Sequence, residues 1–182
     1  MKNKYFLTGI PQCGKLTLGQ KVAEQLGLPC YNIYKMVMEI MNLRGFHGDP
    51  RPEYNLLRKL SRVALKQLCA REGPAIILVH ADVRTIPGCV DIMKREGIQI
   101  FIDRDADLIH DTLDNMKDSK LMVRINGELS LDYLRVGVDS YDEDHELYAR
   151  EADYVISNNG SVDEGVRQLH RLISRLSAES GV

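Results

Sequence analysis

No run of apolar residues in this 182-residue chain approaches the length needed to cross a membrane. Its opening stretch has only Tyr5, Phe6 and Leu7 in succession before polar, Gly and Pro residues intervene, so a secretory signal is not expected. Cysteine is sparse. The four residues, Cys13, Cys30, Cys69 and Cys89, form no C-x-x-C pair, which argues against both a zinc site and a small disulfide scaffold. A reducing, cytoplasmic setting is the expectation. Charge of one sign is also missing: 24 Lys and Arg face 26 Asp and Glu, a net of -2, which excludes a broadly basic nucleic-acid surface. There is no internal repeat, no linker and no Asn-Lys-x-Asp guanine motif. With 44% hydrophobic and 27% charged residues, the chain is not a disordered one.

What is present has a clear order. Tyr5 to Thr8 reads as a strand that stops at Gly9. Leu18, Val22 and Leu26 recur every four residues, so Leu16 to Leu26 reads as a helix ended by Gly27 and Pro29. Further helices are expected over Ile33 to Leu43 and Glu53 to Cys69, separated by the Gly- and Pro-rich loop Arg44 to Pro52. Ala75 to His80, AIILVH, is apolar without alternation, the pattern of a parallel strand covered on both faces. Ile98 to Ile102 and Val155 to Ile156 are the later strands, with helices between them and after Asp163. Strands alternating with helices predict one three-layer α/β/α domain over 1–182 with a central parallel sheet.

The chemistry is concentrated after the first strand. Gly9 to Thr17 reads GIPQCGKLT, close to the phosphate-loop pattern G-x-x-x-x-G-K-[ST]. Such a loop needs glycines so that it can curl around a phosphate with its N–H groups inward, and the following helix presents its N-terminus to the same anion. Gly9, Pro11, Gln12, Cys13, Gly14, Lys15, Leu16 and Thr17 are therefore the expected nucleotide-binding residues, with Lys15 on the β- and γ-phosphates. Leu16 stands where the magnesium-binding hydroxyl is usual, and Thr17 follows one residue late.

Asp82 and Arg84 follow the most apolar strand, where an open parallel sheet binds ligands. Asp82, with Thr17, is the expected Mg2+ contact, and Arg84 an expected phosphate contact. Arg104, just beyond the next strand, is a second candidate for the transferred phosphoryl group, placed on a mobile cover over about 104–150. The first 66 residues are net positive, which suits an anionic small molecule. Arg44, Arg51, Arg58 and Arg62 in segment 31–66 are the candidate acceptor contacts, with Tyr34, Phe46 or Tyr54 beneath the acceptor. Arg58 and Arg62 are four apart and share a helix face.

These residues also carry a family resemblance. The loop resembles the adenylate-kinase form G-x-P-G-x-G-K-G-T and the S-G-K-D-T loop of phage-type deoxynucleoside monophosphate kinases, departing at Gln12, Cys13 and Leu16. Asp82-Val83-Arg84 resembles the D-V-R-F-x-N-E stretch of the latter, whose glutamate has no counterpart near Gly88. Ala152-Asp153-Tyr154-Val155-Ile156 with Asn158, Gly160 and Ser161, preceded by His145, is similar to their tail, which dephospho-coenzyme-A kinases share. The resemblance implies a P-loop kinase fold. It places Asn158, Gly160 and Ser161 beside the adenine, and Arg150 over the donor phosphates.

Together these readings lead to a kinase that uses ATP and Mg2+ to phosphorylate a phosphorylated small-molecule acceptor, by resemblance a nucleoside or deoxynucleoside monophosphate. Dephospho-coenzyme A or another small molecule is the alternative acceptor. A non-catalytic nucleotide-binding module is the alternative of a different class. Neither a nucleic-acid nor a membrane partner is expected, and the protein is expected to be a monomer or homodimer.

Overall fold

The computed structural model describes residues 3–43, 54–115, 124–125, 128–129 and 141–179. Five parallel strands form the central sheet: β1 (Lys4–Thr8), β2 (Cys30–Asn32), β3 (Ala75–Leu78), β4 (Gly97–Asp103) and β7 (Tyr154–Ser157). Their order is β2-β3-β1-β4-β7, so β1 lies at the centre with β3 and β4 on either side. Arg124–Ile125 and Glu128–Leu129 form a separate antiparallel pair, β5 and β6.

Alternate side chains of each strand enter different layers. Tyr5 and Leu7 of β1 join Ile76, Leu78, Ile100 and Ile102 against α1 (Lys15–Leu26) and the last helix, α8 (Val162–Glu179). Phe6 points the other way, with Ile77 and Val79, into a core closed by α2 (Ile33–Leu43), α3 (Tyr54–Cys69), the single turn α4 (Ala81–Arg84) and α5 (Cys89–Glu96). Phe101 extends that layer to Ile109 and Leu113 of α6 (Ala106–Asn115) and Tyr148 of α7 (Tyr141–Glu151). Being covered on both faces is why AIILV carries no alternation: all four residues of β3 are buried. The expected three-layer α/β/α architecture is thus the observed one. No helix among the described residues is long and apolar enough to cross a membrane.

α7 belongs to the packed body. Tyr148 is buried and its ring stacks on Phe101, with centroids 5.5 Å apart. Tyr141–Glu151, the end of the stretch expected as a mobile cover, is packed on β4 through this ring. Acidic residues on one side of α7 face solvent, while its aromatic side completes a core.

Candidate active site

The connection from β1 runs through α1 to β2 on one side, while β4 lies on the other. A crevice opens at such a switch point, beyond the carboxyl ends of the strands. Gly9 leaves β1 there with φ 141°, and a side chain at this position would strike the Ile102 carbonyl at 2.7 Å. Gln12 adopts φ 63° and Gly14 φ 97°, both in the left-handed region. The chain turns so sharply that Cys13 N–H donates to the Ile10 carbonyl at 3.3 Å. Lys15 arches back over this turn, donating from Nζ to the carbonyls of Gly9 at 2.6 Å and Ile10 at 2.9 Å. Gly14 caps α1 without any side-chain hydrogen bond, and no acidic residue stands in the first turn. The helix thus offers its leading N–H groups and its positive end to an outside anion.

A loop of positive-φ residues, a lysine beside it and a helix end without a side-chain cap fit the phosphates of a nucleotide donor. Gly9 to Gly14 and Lys15 would hold them, and when bound ATP supplies the phosphoryl group. Thr17, exposed in the first turn of α1, is the hydroxyl available to Mg2+. Leu16 contributes no ligand, and 49% of its surface is open to solvent.

The loop is held from behind by the far end of the chain. Asn158, just past β7, is 3% exposed. Its Nδ2 donates to the Cys13 carbonyl at 2.8 Å, and its N–H donates to the Asp103 carbonyl at 2.7 Å. A side chain at Gly14 would collide with that amide. Asn158 thus supports the phosphate loop through its side chain. Ser161 is likewise engaged. Its N–H and hydroxyl donate to Glu164 at 2.8 and 3.1 Å, while Glu164 N–H donates to Ser161 Oγ at 3.3 Å, a reciprocal cap of α8. These bonds hold the exposed Glu164 carboxyl below its ordinary pKa. Gly160 lies in the exposed turn between Asn158 and Ser161.

The arginines are distributed differently from the expectation. Arg84 turns under α7, where Nη2 lies 2.9 Å from Asp144 and Nη1 3.8 Å from Glu151. Its guanidinium also sits 5.2 Å from the Tyr148 ring centre. In this structure carboxylates of the chain itself hold the guanidinium expected as a phosphate contact. Burial pushes the Tyr148 phenol pKa up, and Arg84 opposes that shift. Arg104 reaches Thr112 of α6 at 3.4 Å, its carbonyl accepts from Tyr141 at 2.8 Å, and its Nε is buried without a partner. Arg150 is exposed on α7. Arg58 donates twice to Thr85, to Oγ1 at 2.8 Å and to the carbonyl at 2.7 Å, and so ties α3 to the turn after α4. Arg62 is exposed with its guanidinium beside Gly88. Arg44, Arg51 and Phe46, and the side chains of Tyr54 and Asp82, lie outside the described residues; Asp82 itself falls on α4.

Two histidine clusters at the strand ends were missed. His80 follows β3 and meets Ser61 Oγ at 3.1 Å, with its ring edge-on to Tyr34. His145 meets Asp103 at 3.0 Å and stacks on Tyr141. Position was the available signal for His80: it directly follows the most apolar strand, on the rim of the crevice.

Comparison with known proteins places this geometry. No protein-family model matches the chain. A shikimate kinase of Clostridium beijerinckii is 31% identical over 180 residues, covering 95% of this chain and 96% of its own. A shikimate kinase of Clostridium botulinum is 25% identical over 173 residues, covering 95% and 98%. Among solved structures, a shikimate kinase of Acinetobacter baumannii in complex with shikimate superposes with a TM-score of 0.68 at 22% identity, covering 99% of this chain and 95% of that one. The expected nucleoside monophosphate kinase kinship is thereby corrected, because likeness along nearly the whole chain runs elsewhere. A phosphate loop at the end of β1, a five-stranded parallel sheet of this order and that full-length likeness together make the chain an ATP- and Mg2+-dependent P-loop kinase of the shikimate kinase family.

Proposed function

We propose that the protein transfers the γ-phosphoryl group of ATP to a hydroxyl of shikimate. The observation that carries this reading is the 31% identity to the Clostridium beijerinckii shikimate kinase across 95% of the chain. In the reaction an acceptor oxygen forms a bond to the γ-phosphorus while the bond from that phosphorus to the β-bridging oxygen breaks. ADP departs, and the hydroxyl proton passes to solvent. Little covalent chemistry is asked of the protein, so alignment and charge stabilisation dominate. Lys15 and the loop N–H groups hold the donor phosphates. Arg58, held on Thr85 by both guanidinium nitrogens, is the described arginine of segment 31–66 that would turn to a carboxylate-bearing acceptor. An acid acceptor satisfies the positive first part of the sequence without a second phosphate.

The test is a coupled ADP-release assay with shikimate, ribonucleoside and deoxynucleoside monophosphates, and dephospho-coenzyme A. ADP formation that depends on shikimate and disappears in Lys15→Ala is the expected result. Turnover with a monophosphate or dephospho-coenzyme A alone moves the function to that acceptor. ATP binding with no acceptor-dependent turnover across the set overturns the enzymatic reading in favour of a nucleotide-binding module.

A further inference from the structure

In the phosphate-loop pattern the residue directly after the lysine carries the hydroxyl that takes Mg2+, and in this chain that residue is Leu16. Its side chain joins none of the described cores, and 49% of its surface is open to solvent. Mg2+ takes oxygen ligands and gives up water reluctantly, so a leucine offers it nothing.

Thr17 carries the available hydroxyl, but one residue along a helix is a rotation of about 100°. The neighbours of α1 fix the two directions. Gly19, one turn beyond Leu16, lies on the sheet: a side chain there would meet Leu78 of β3 at 2.6 Å and Leu7 of β1 at 3.0 Å. Leu16 therefore leaves the helix toward β3, the strand that leads into α4 and Asp82. Lys21, one turn beyond Thr17, has its Nζ 4.0 Å from Asp163 at the start of α8. Thr17 therefore shares the stripe that faces solvent and α8. The hydroxyl and the position expected to ligate the ion have come apart.

The electrostatics of the loop point the same way. Its N–H groups, the Lys15 ammonium and the start of α1 without a side-chain cap attract an anion. Mg2+ on a nucleotide offsets part of the anion's charge and so weakens that attraction. An ion changes the affinity of the nucleotide that carries it only through its own interactions with the protein. A direct ligand would outweigh the lost charge; without one the loss stands. Among the described residues no group of three or more His, Cys, Asp and Glu could hold the ion instead.

We infer that α1 gives Mg2+ no ligand: the ion arrives on the nucleotide, held by phosphate and water, and does not tighten nucleotide binding. The inference rests on the nucleotide site of the kinase reading above and concerns the metal alone. Its test is calorimetric titration of the full chain with ADP, once in millimolar Mg2+ and once in EDTA. In the parent, ADP should bind in Mg2+ within about twofold of its affinity in EDTA, or more weakly. Leu16→Ser returns an oxygen to the position, and Mg2+ should then tighten ADP at least about fivefold. Leu16→Ala removes the leucine without adding an oxygen and should keep the parent's ratio, as should Thr17→Val. Leu16 is exposed, so its replacements ask little of the core. Tightening by Mg2+ of more than about twofold in the parent overturns the inference. Lost in Thr17→Val, that tightening identifies Thr17 as the ligand; retained, it comes from another residue, with Asp82 the next to vary. A Leu16→Ser protein indifferent to Mg2+ overturns it as well, since position 16 would then lie away from the ion. The kinase reading fails separately, by the absence of shikimate-dependent ADP release in a chain that shows the expected ratios. No ADP binding in either condition overturns both.

Discussion

The side-chain amide of Asn158 donates to the backbone carbonyl of Cys13 at 2.8 Å, across 145 residues of sequence. The two ends of the fold are joined at the point where the donor phosphates would sit. The bond is buried, so removing the amide leaves the Cys13 carbonyl without a partner and a void beneath Gly14.

Asn158→Ala should therefore weaken ATP binding about tenfold and lower stability by about 1–2 kcal/mol. Calorimetric titration and urea denaturation read the two effects. ATP affinity within twofold of the parent would show that the loop holds its shape unaided.

Gln12 has a backbone that costs an L-residue about 1 kcal/mol or more and a glycine nothing. Gln12→Gly should keep stability or raise it by up to about 1 kcal/mol. Gln12→Val, with a branched Cβ in the same conformation, should lose about 1–2 kcal/mol. The order Gly, Gln, Val in denaturation midpoint is the check, and a reversed order would mean that the turn relaxes in solution.

Arg84 binds α4 to α7 through Asp144 and Glu151. Its side chain is 15% exposed, and the carboxylates are 29% and 21% exposed, so screening is partial. Arg84→Met should cost about 2 kcal/mol, with ATP affinity nearly unchanged. Combining it with Asp144→Asn should cost less than the sum of the two. A large loss of ATP affinity in a variant of normal stability would restore the arginine to the phosphate site.

Glu164 gives a pH-dependent contribution whose sign is fixed by its lowered pKa. The largest cause is the Ser161 N–H, followed by the Ser161 hydroxyl. A carboxyl depressed on folding stabilises above its unfolded pKa, and the contribution fades as pH falls through the folded one. Glu164→Ala should thus melt below the parent at pH 7, with the gap closing below the ordinary carboxylate value of 4.5. A gap that stays constant across that range would assign the loss to helix propensity alone.

Much of the fold could be read from the sequence because its signals are local. Gly9, Gly14 and Lys15 mark a strand, a turn and a helix within a few residues, and AIILV reports burial on both faces. β2 escaped notice because it is three half-buried residues long and exists through its pairing with β3. The pairing of Arg84 with Asp144 was not legible because the two are 60 residues apart. α7 reads as a solvated acidic helix until Tyr148 is seen against Phe101. The family was misjudged for a related reason. Asn158 clips the loop, Gly160 makes the turn and Ser161 caps a helix. A tail doing those jobs suits any P-loop kinase and says little about the acceptor.

The clip from Asn158 also sets a schedule for the chain as it is made. The phosphate loop leaves the ribosome ahead of its buried support, which follows 145 residues later. At about 5–20 residues per second, that interval is roughly 7–30 seconds. Until its end the glycine-rich turn lacks β7 and Asn158 behind it, so nucleotide is held more weakly by the nascent chain than by the finished fold. Full retention of ATP is thus a late event, reached once residue 158 joins the fold.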